Sequence, residues 1–192
     1  MKTLKKVLFL ITGICLLVAC SKSDHFWGGE PLGNTMKNGP VKPVEVTLPF
    51  KVDLVGEYIA VFPDQECWSE ETQYDFRIIV DAEGTGTHLG KITGNFNFCA
   101  NWSTGFYGPT VTHFTAANGD ILFVSCQGQV IDGRLPDHPE DVNSYWKDPF
   151  VILGGTGRFE GATGGGMTDD YNRDSYPANS FHHWKGTITL LK

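Results

Sequence analysis

Histidine, serine and carboxylate side chains could carry acid–base, nucleophilic or metal chemistry, but their spacing in this chain does not define a site. His182 and His183 are adjacent, so on a strand they point to opposite faces and cannot bind one metal ion together. His88 and His113 stand alone on separate predicted strands, where a structural role is more common. No Ser–His–Asp or Cys–His arrangement follows from spacing alone. We therefore predict neither a metal site nor a cofactor.

The acidic and glycine-rich segments also lack the spacing of known ion or nucleotide sites. Carboxylates cluster at 66–71, 137–141 and 169–174 without the pattern of a calcium-binding loop, which favours a solvated acidic surface. The segment 150–157 ends in Gly-Gly-Thr-Gly and superficially resembles a strand before a nucleotide-binding loop. The segment 161–166 that follows is too rich in glycine for the helix that such a loop requires. A tight hairpin is the better interpretation.

The first twenty residues have the pattern of an export signal. Three lysines in the first six residues precede the nearly all-apolar run 7–19, which is shorter than the roughly 20 residues that span a membrane. The run ends in Leu-Val-Ala before Cys20 and resembles the lipobox of bacterial lipoproteins. The resemblance implies removal of a signal peptide, residues 1–19, and acylation of Cys20, which would anchor the chain to a membrane. An ordinary signal peptide followed by a coincidental cysteine is the alternative.

The resemblance to lipoproteins also implies that the protein is located in the bacterial cell envelope. Ser21, rather than an aspartate, follows Cys20, which implies the outer membrane, on its periplasmic or surface face. Residues 20–48 contain several Gly and Pro residues and no apolar periodicity, so we expect a lipidated cysteine followed by a flexible tether. Residues 49–192 would then form the folded domain.

Composition favours an all-β domain that does not bind nucleic acid. The net charge is −7, and no Lys/Arg cluster exists beyond the first six residues, so the basic face that a nucleic-acid partner needs is missing. Aromatic residues make up 12% of the chain, and 23 of its 192 residues are glycine. This combination, with few charges, favours many short strands and turns over helices.

Alternating apolar residues predict eight strands from residue 55 onward, and no stretch of twelve residues has a helical period. An even count allows the first and last strands to pair, so we predict an eight-stranded antiparallel up-and-down β-barrel, with a β-sandwich as the alternative. The predicted strands are 55–62, 74–83, 87–99, 110–117, 120–131, 150–153, 161–170 and 181–191.

Three segments carry a family resemblance. They are Gly-Thr-His-Leu-Gly-Lys at 86–91, Ala-Ala-Asn-Gly-Asp at 116–120, and Gly-Gly-Thr-Gly-Arg-Phe-Glu-Gly-Ala-Thr-Gly at 154–164. In this order they resemble allene oxide cyclase barrel-like proteins, and dirigent proteins share the Gly-Gly-Thr-Gly hairpin. The resemblance spans about residues 55–191 and implies a calycin-type eight-stranded barrel. Because the three segments are turns and bends, they imply a fold and assign no catalytic residue.

The lengths of the connections indicate which end of the barrel binds a ligand. In an up-and-down barrel the connections alternate between two ends, and the long ones, which often carry binding residues, fall together. These long connections are 63–73, 100–109, 131–149 and 171–180. We therefore expect a small apolar or sugar-like molecule to bind at that end, through rings that can stack on it. The candidate ligand-binding residues are Trp68, Trp102, Tyr107, Tyr145, Trp146 and Tyr171.

Three cysteines remain once the leader is removed and Cys20 is acylated, so at most one disulfide forms in an oxidising compartment. Cys99 and Cys126 lie on strands that flank a third strand, which separates them by about 10 Å and is too far for a bond. Cys67 lies on a long connection at the same end and can reach either partner. We favour the pair Cys67–Cys99.

Two further functional hypotheses come from other classes. A cyclase or isomerase acting on a lipid-derived substrate rests on the family resemblance, and it requires an ionisable group inside the barrel. Glu57, Arg77 and His113 are candidates because they lie on predicted strands, and the assignment fails if all three point outward. A structural or adhesive surface protein is the other alternative, and it requires a barrel whose interior is filled.

Overall fold

A computed structural model describes residues 43–192. The expectations for the signal peptide, for Cys20 and for most of the tether lie outside these residues. Within 43–192 the only helical segments are two 3-10 turns, Gln65–Cys67 and Gly157–Phe159. None of the helical segments in this range has the length and apolar character needed to cross a membrane.

The described residues form eleven strands in one sheet. These are β1 (Glu45–Pro63), β2 (Phe76–Gly86), β3 (Gly90–Ala100), β4 (Phe106–Ala116), β5 (Ile121–Gln129), β6 (Ile131–Asp132), β7 (Val142–Trp146), β8 (Pro149–Gly155), β9 (Thr163–Met167), β10 (Asp170–Arg173) and β11 (Asn179–Leu191).

Eight of these strands close into a ring. The order is β1-β2-β3-β4-β5-β8-β9-β11, every neighbouring pair is antiparallel, and β11 pairs back onto β1. The closing ladder runs from Glu45 opposite Leu191 to Glu57 opposite Asn179. This confirms the predicted eight-stranded antiparallel up-and-down barrel. All ladder partners lie within 45–191, so the barrel closes without any other part of the chain.

Two of the ring strands are interrupted and continue beyond the ring. Strand β8 continues β7, and β10 continues β9. Pro149 pairs with Met167 before the break and Trp146 pairs with Asp170 after it, so the pairing register is the same on both sides. At the break, Thr168 N–H donates to the Asp148 carbonyl, and Asp148 N–H donates to the Thr168 hydroxyl, each at 2.9 Å. The arm β6-β7-β10 therefore extends the sheet at the long-connection end.

Three predicted boundaries are wrong. The first strand begins at Glu45 and not at 55, so residues 45–48 belong to the barrel and not to the tether. Its early half alternates buried Phe50, Val52 and Leu54 with outward Lys51 and Asp53, which is the pattern of a strand with one buried face, so the earlier start was readable from the sequence. The predicted strand 161–170 continues to Arg173 after its break, and the predicted loop 131–149 contains β6 and β7.

Aromatic side chains fill the half of the barrel nearer the short connections. The indole of Trp184 stacks on Phe150 at 5.0 Å and lies 5.4 Å from Phe114, as measured between ring centroids. All three residues are almost completely buried. This cluster closes one end of the barrel and forms a floor beneath the other half.

The disulfide joins Cys67 to Cys99, the pair that the cysteine analysis favoured, with the Cα atoms 5.4 Å apart. It attaches the connection between β1 and β2 to the outer side of β3. Cys126 is a buried free thiol.

Replacing both Cys67 and Cys99 by serine is expected to lower the free energy of unfolding by about 3 kcal/mol. The bond spans a sequence separation of 32, and losing it gives the unfolded chain more conformational freedom. Urea denaturation followed by tryptophan fluorescence measures the change. The wild type under reducing conditions should match the double variant, and equal stability of oxidised wild type and double variant would contradict the expectation.

Candidate functional site

The half of the barrel near the long connections is hollow. A cavity of about 890 Å³ extends from the Trp184 floor to a mouth beside Trp102. Trp102 is 62% exposed and stacks on Phe76 with ring centroids 4.8 Å apart. The cavity is therefore open to solvent at the end where the sequence analysis expected binding.

One wall of the cavity is apolar. It consists of inward side chains of β2 and β3, which alternate with outward polar residues because successive strand residues face opposite sides. This wall includes Ile78, Val80, Phe96 and Phe98. Trp146 of β7 faces the same space, so aromatic rings bound the cavity from two sides.

The neighbouring wall, on β10 and β11, holds a buried carboxylate–imidazole–hydroxyl chain. His182 Nδ1 lies 2.9 Å from Asp170 Oδ2, and His182 Nε2 lies 2.9 Å from Ser180 Oγ. Asp170 and Ser180 are each 1% exposed and His182 is 5% exposed, yet all three line the cavity. The register that pairs Tyr171 with Phe181 places Asp170 directly opposite His182.

The donors around Asp170 determine which nitrogen of His182 carries a proton. The Asp170 carboxylate also accepts hydrogen bonds from the indole N–H of Trp184 and the backbone N–H of His183, both at 2.9 Å. A carboxylate accepts hydrogen bonds, so Nδ1 of His182 is assigned as the donor to Asp170. Nε2 of His182 is then free to accept the Ser180 hydroxyl proton. The imidazole is packed between Phe96, stacked at 5.0 Å, and Trp146 at 5.8 Å.

Gly56 makes space for this chain. It lies directly across from Ser180 in the closing ladder. A Cβ at position 56 would come within 2.5 Å of Ser180 Oγ and 2.6 Å of Val80 Cγ1, too close for both to keep their positions, and 3.1 Å from His182 Nε2. The absence of a side chain at Gly56 therefore allows Ser180 and His182 to hold their positions.

A second polar cluster lies on the β4–β5 side. The Tyr107 hydroxyl donates to Asp148 Oδ2 at 2.8 Å and lies 3.4 Å from Cys126 Sγ. Burial raises the pKa of the Tyr107 phenol far above its ordinary value, and burial raises the pKa of the Cys126 thiol to about 12. Burial also raises the pKa of Asp148. Both the phenol and the thiol are therefore neutral hydrogen-bonding groups near neutral pH.

Three of the six predicted ligand-binding residues line the cavity, and three do not. Trp102, Tyr107 and Trp146 line it. Trp68 lies outside it, 55% exposed beside the disulfide. Tyr145 and Tyr171 were expected on loops, but they belong to β7 and β10, where alternation turns them away from the inward Trp146 and Asp170. Both pack on the outer face, next to His138.

The three predicted catalytic candidates all face outward, so this assignment is wrong. Glu57 and His113 are exposed on the outside of β1 and β4. Arg77 forms a salt bridge to Asp64 and a hydrogen bond to Asn97 on the outer surface. Being on a strand does not decide the side, because only every second residue faces the interior.

The ionisable residues that do face the interior were missed. Ser180 and His182 share strand parity with Trp184, Ile188 and Leu190, all of which are buried. That parity was a readable signal for His182, since an apolar run identifies the inward face. Asp170 carried no comparable signal because its position depends on the β10–β11 register. Within residues 43–192 no group of three metal-binding side chains converges.

Comparisons with known proteins identify no family. No family model matches the chain, and no curated protein matches it. Among solved structures, a pterocarpan synthase dirigent protein is similar, with a TM-score of 0.47 and 12% identity over 82% of this chain and 97% of that chain. The barrel assignment therefore rests on the strand pairing described above.

Asp148→Asn is expected to make stability less dependent on pH. The pKa of Asp148 is raised above 3.8, so the folded state holds a proton that the unfolded state releases, and stability falls as pH rises through that window. Asparagine cannot ionise but still accepts the Tyr107 hydroxyl. Urea unfolding at about pH 4 and about pH 7 should show the variant gaining stability relative to wild type at the higher pH. An equal difference at both pH values would contradict the assignment.

Proposed function

We propose that the barrel binds one small, largely apolar molecule that carries a hydroxyl or carbonyl group. The observation that supports this is a cavity with an apolar wall on β2 and β3 and with hydrogen-bonding side chains on its other walls. Its volume of about 890 Å³ is within the range of small-molecule sites, which runs from roughly 300 to 1,000 Å³. A barrel of eight strands is wide enough to hold one such ligand.

The distribution of polar groups favours an apolar ligand over a sugar. A sugar presents hydroxyl groups around its whole rim, whereas the wall formed by Ile78, Val80 and Phe96 offers no hydrogen-bond partner. The polar wall contains a continuous set of donors and acceptors. The Tyr58 hydroxyl donates to Asn172 Oδ1 at 3.0 Å, and Asn172 Nδ2 donates to the Ser144 hydroxyl at 3.1 Å. A ligand with one polar edge fits this division.

A purely structural role for the barrel is less well supported. That hypothesis requires a filled interior, and the aromatic cluster around Trp184 fills only the half near the short connections. The other half leaves buried polar groups of Ser180 and His182 beside an open space. These groups are already hydrogen-bonded to one another, so it is the open space beside them, and not their burial, that favours a ligand.

We further propose that the barrel is attached to the outer membrane through lipid on Cys20. This rests on the leader, residues 1–19, and on the lipobox-like residues before Cys20. Residues 21–44 separate that cysteine from the first residue of β1, so the barrel would sit at a distance from the bilayer surface. Two or more acyl chains would hold the protein firmly, whereas one chain alone binds marginally.

Filling the cavity is expected to abolish binding of an uncharged apolar probe. The barrel fragment 41–192 is titrated with N-phenyl-1-naphthylamine, whose fluorescence rises in apolar surroundings. Ile78→Trp places an indole inside the cavity and should weaken binding by at least about tenfold, which is 1.4 kcal/mol. Ile79→Trp, the neighbouring residue outside the cavity lining, is the matched control and should bind as the wild type does.

Two results would contradict the binding proposal. One is the absence of saturable probe binding to the wild type. The other is equal binding by Ile78→Trp and Ile79→Trp, which would place the probe outside the barrel. If the proposal is right, native mass spectrometry of the wild type purified from its own host should show an extra mass that the Ile78→Trp variant lacks. That mass identifies the bound molecule.

Cys20→Ala is expected to release the protein from membranes. Without the Cys20 sulfur no acyl chain can be attached, so the variant should move from the membrane fraction to the soluble fraction and lose incorporated palmitate. Ser21→Ala keeps the acylation site and is the control. Membrane retention of Cys20→Ala would show that Cys20 is not the anchor.

A further inference from the structure

We propose that Ser180 is the nucleophile of a hydrolytic site that acts on small apolar esters inside the barrel, with His182 as its base and Asp170 as the residue that orients His182. This proposal rests on the proposed function, because the ester must first enter the cavity. It goes beyond binding by assigning a reaction to the bound molecule.

The geometry meets the requirements for an activated serine. A nucleophile needs a base within hydrogen-bond distance, and Ser180 Oγ lies 2.9 Å from His182 Nε2. The base needs a group that fixes its tautomer and stabilises the imidazolium, and Asp170 Oδ2 lies 2.9 Å from Nδ1. Such a site is defined by these roles and distances, and not by the order of the residues in the chain.

Asp170 is itself held in place. The Trp184 indole and the His183 backbone N–H both donate to it, so its carboxylate cannot turn away from His182 without leaving a buried donor unpaired.

Tyr58 supplies a donor for the oxyanion. Its hydroxyl donates to Asn172 Oδ1 at 3.0 Å, and Tyr58 lines the same cavity as Ser180. Burial raises the pKa of Tyr58, so it remains a protonated donor near neutral pH. A hydroxyl donor beside the nucleophile can turn from Asn172 towards the negative oxygen that develops on the substrate.

The cavity controls access to Ser180. The residue is 1% exposed, so the route to its hydroxyl is through the cavity that it lines, which must admit both the ester and the water that hydrolysis needs. The apolar wall around Phe96 selects a flat, uncharged acyl or alcohol group. The burial of Asp170, His182 and Ser180 also strengthens the electrostatic contacts among them.

The reaction balances without a cofactor. Ser180 Oγ bonds to the ester carbonyl carbon while its proton passes to His182 Nε2. The ester C–O bond then breaks, and the alcohol leaves with that proton. Water, with its proton taken by His182, next attacks the acyl-serine, and the carboxylic acid leaves as Ser180 Oγ regains the proton.

Phenylmethylsulfonyl fluoride, a small uncharged aromatic reagent, tests this assignment. Ser180 Oγ would bond to sulfur as fluoride leaves with the proton. Intact mass and peptide mapping of the barrel fragment 41–192 should show one sulfonyl group per chain, on Ser180. Labelling should be absent in Ser180→Ala and at least about a hundredfold slower in His182→Gln. Ser125→Ala removes a serine between the exposed Val111 and Val151 and should label as the wild type does.

Each outcome is decisive for the proposal. Absence of label in the wild type, or equal labelling of wild type and His182→Gln, overturns it, because a structural hydrogen bond does not activate serine. Binding of N-phenyl-1-naphthylamine is measured on every variant and shows whether the cavity is intact. If the reagent displaces this probe without labelling Ser180, the nucleophile is wrong while the binding function stands. If the wild type binds no probe, both proposals fail.

Discussion

The antiparallel ladder between β1 and β11 is the interaction on which the rest of the molecule depends. By pairing Glu45–Glu57 with Asn179–Leu191 it removes both edges of the eight-stranded ring and creates an inside and an outside. It also places Gly56 opposite Ser180, so the space that Ser180 and His182 need exists only in the closed barrel. An open sheet with the same strands would expose these polar groups to water and have no cavity.

The interior divides along the length of single strands. Strand β11 contributes Ser180 and His182 to the hollow half and Ile188 to the filled half, with Trp184 between them. The filled half excludes water and stacks aromatic rings, which stabilises the fold. The hollow half contributes less to stability, because part of its volume is an open space lined by polar groups. Trp184 serves both halves, because its ring packs on Phe150 while its N–H holds Asp170.

The buried polar groups are tolerated because nearly all of them have partners. Asp170 has three donors, and His182 uses both ring nitrogens. Removing one partner from such a chain leaves another group unpaired in a low-dielectric interior, which costs more than the bond itself contributes. The same rule holds where the strands are interrupted at Asp148 and Thr168. The mutual hydrogen bonds of these two residues replace the missing ladder contacts.

The sequence by itself predicted eight strands, an antiparallel barrel with a sandwich as the alternative, the binding end at the long connections, and Cys67–Cys99 as the favoured pair, because alternation and connection length are local properties. It left the first and the broken strands misplaced. The first strand begins directly after the Gly- and Pro-rich segment that indicated a tether, and the break at Asp148 and Thr168 divides two strands that keep one register. Only the tertiary structure decided which side chains face the cavity. Glu57, Arg77 and His113 face outward, and so do Tyr145 and Tyr171. The contact between Asp170 and His182 depends on the register of two strands, and register is a property of how the whole ring closes, which no local pattern contains.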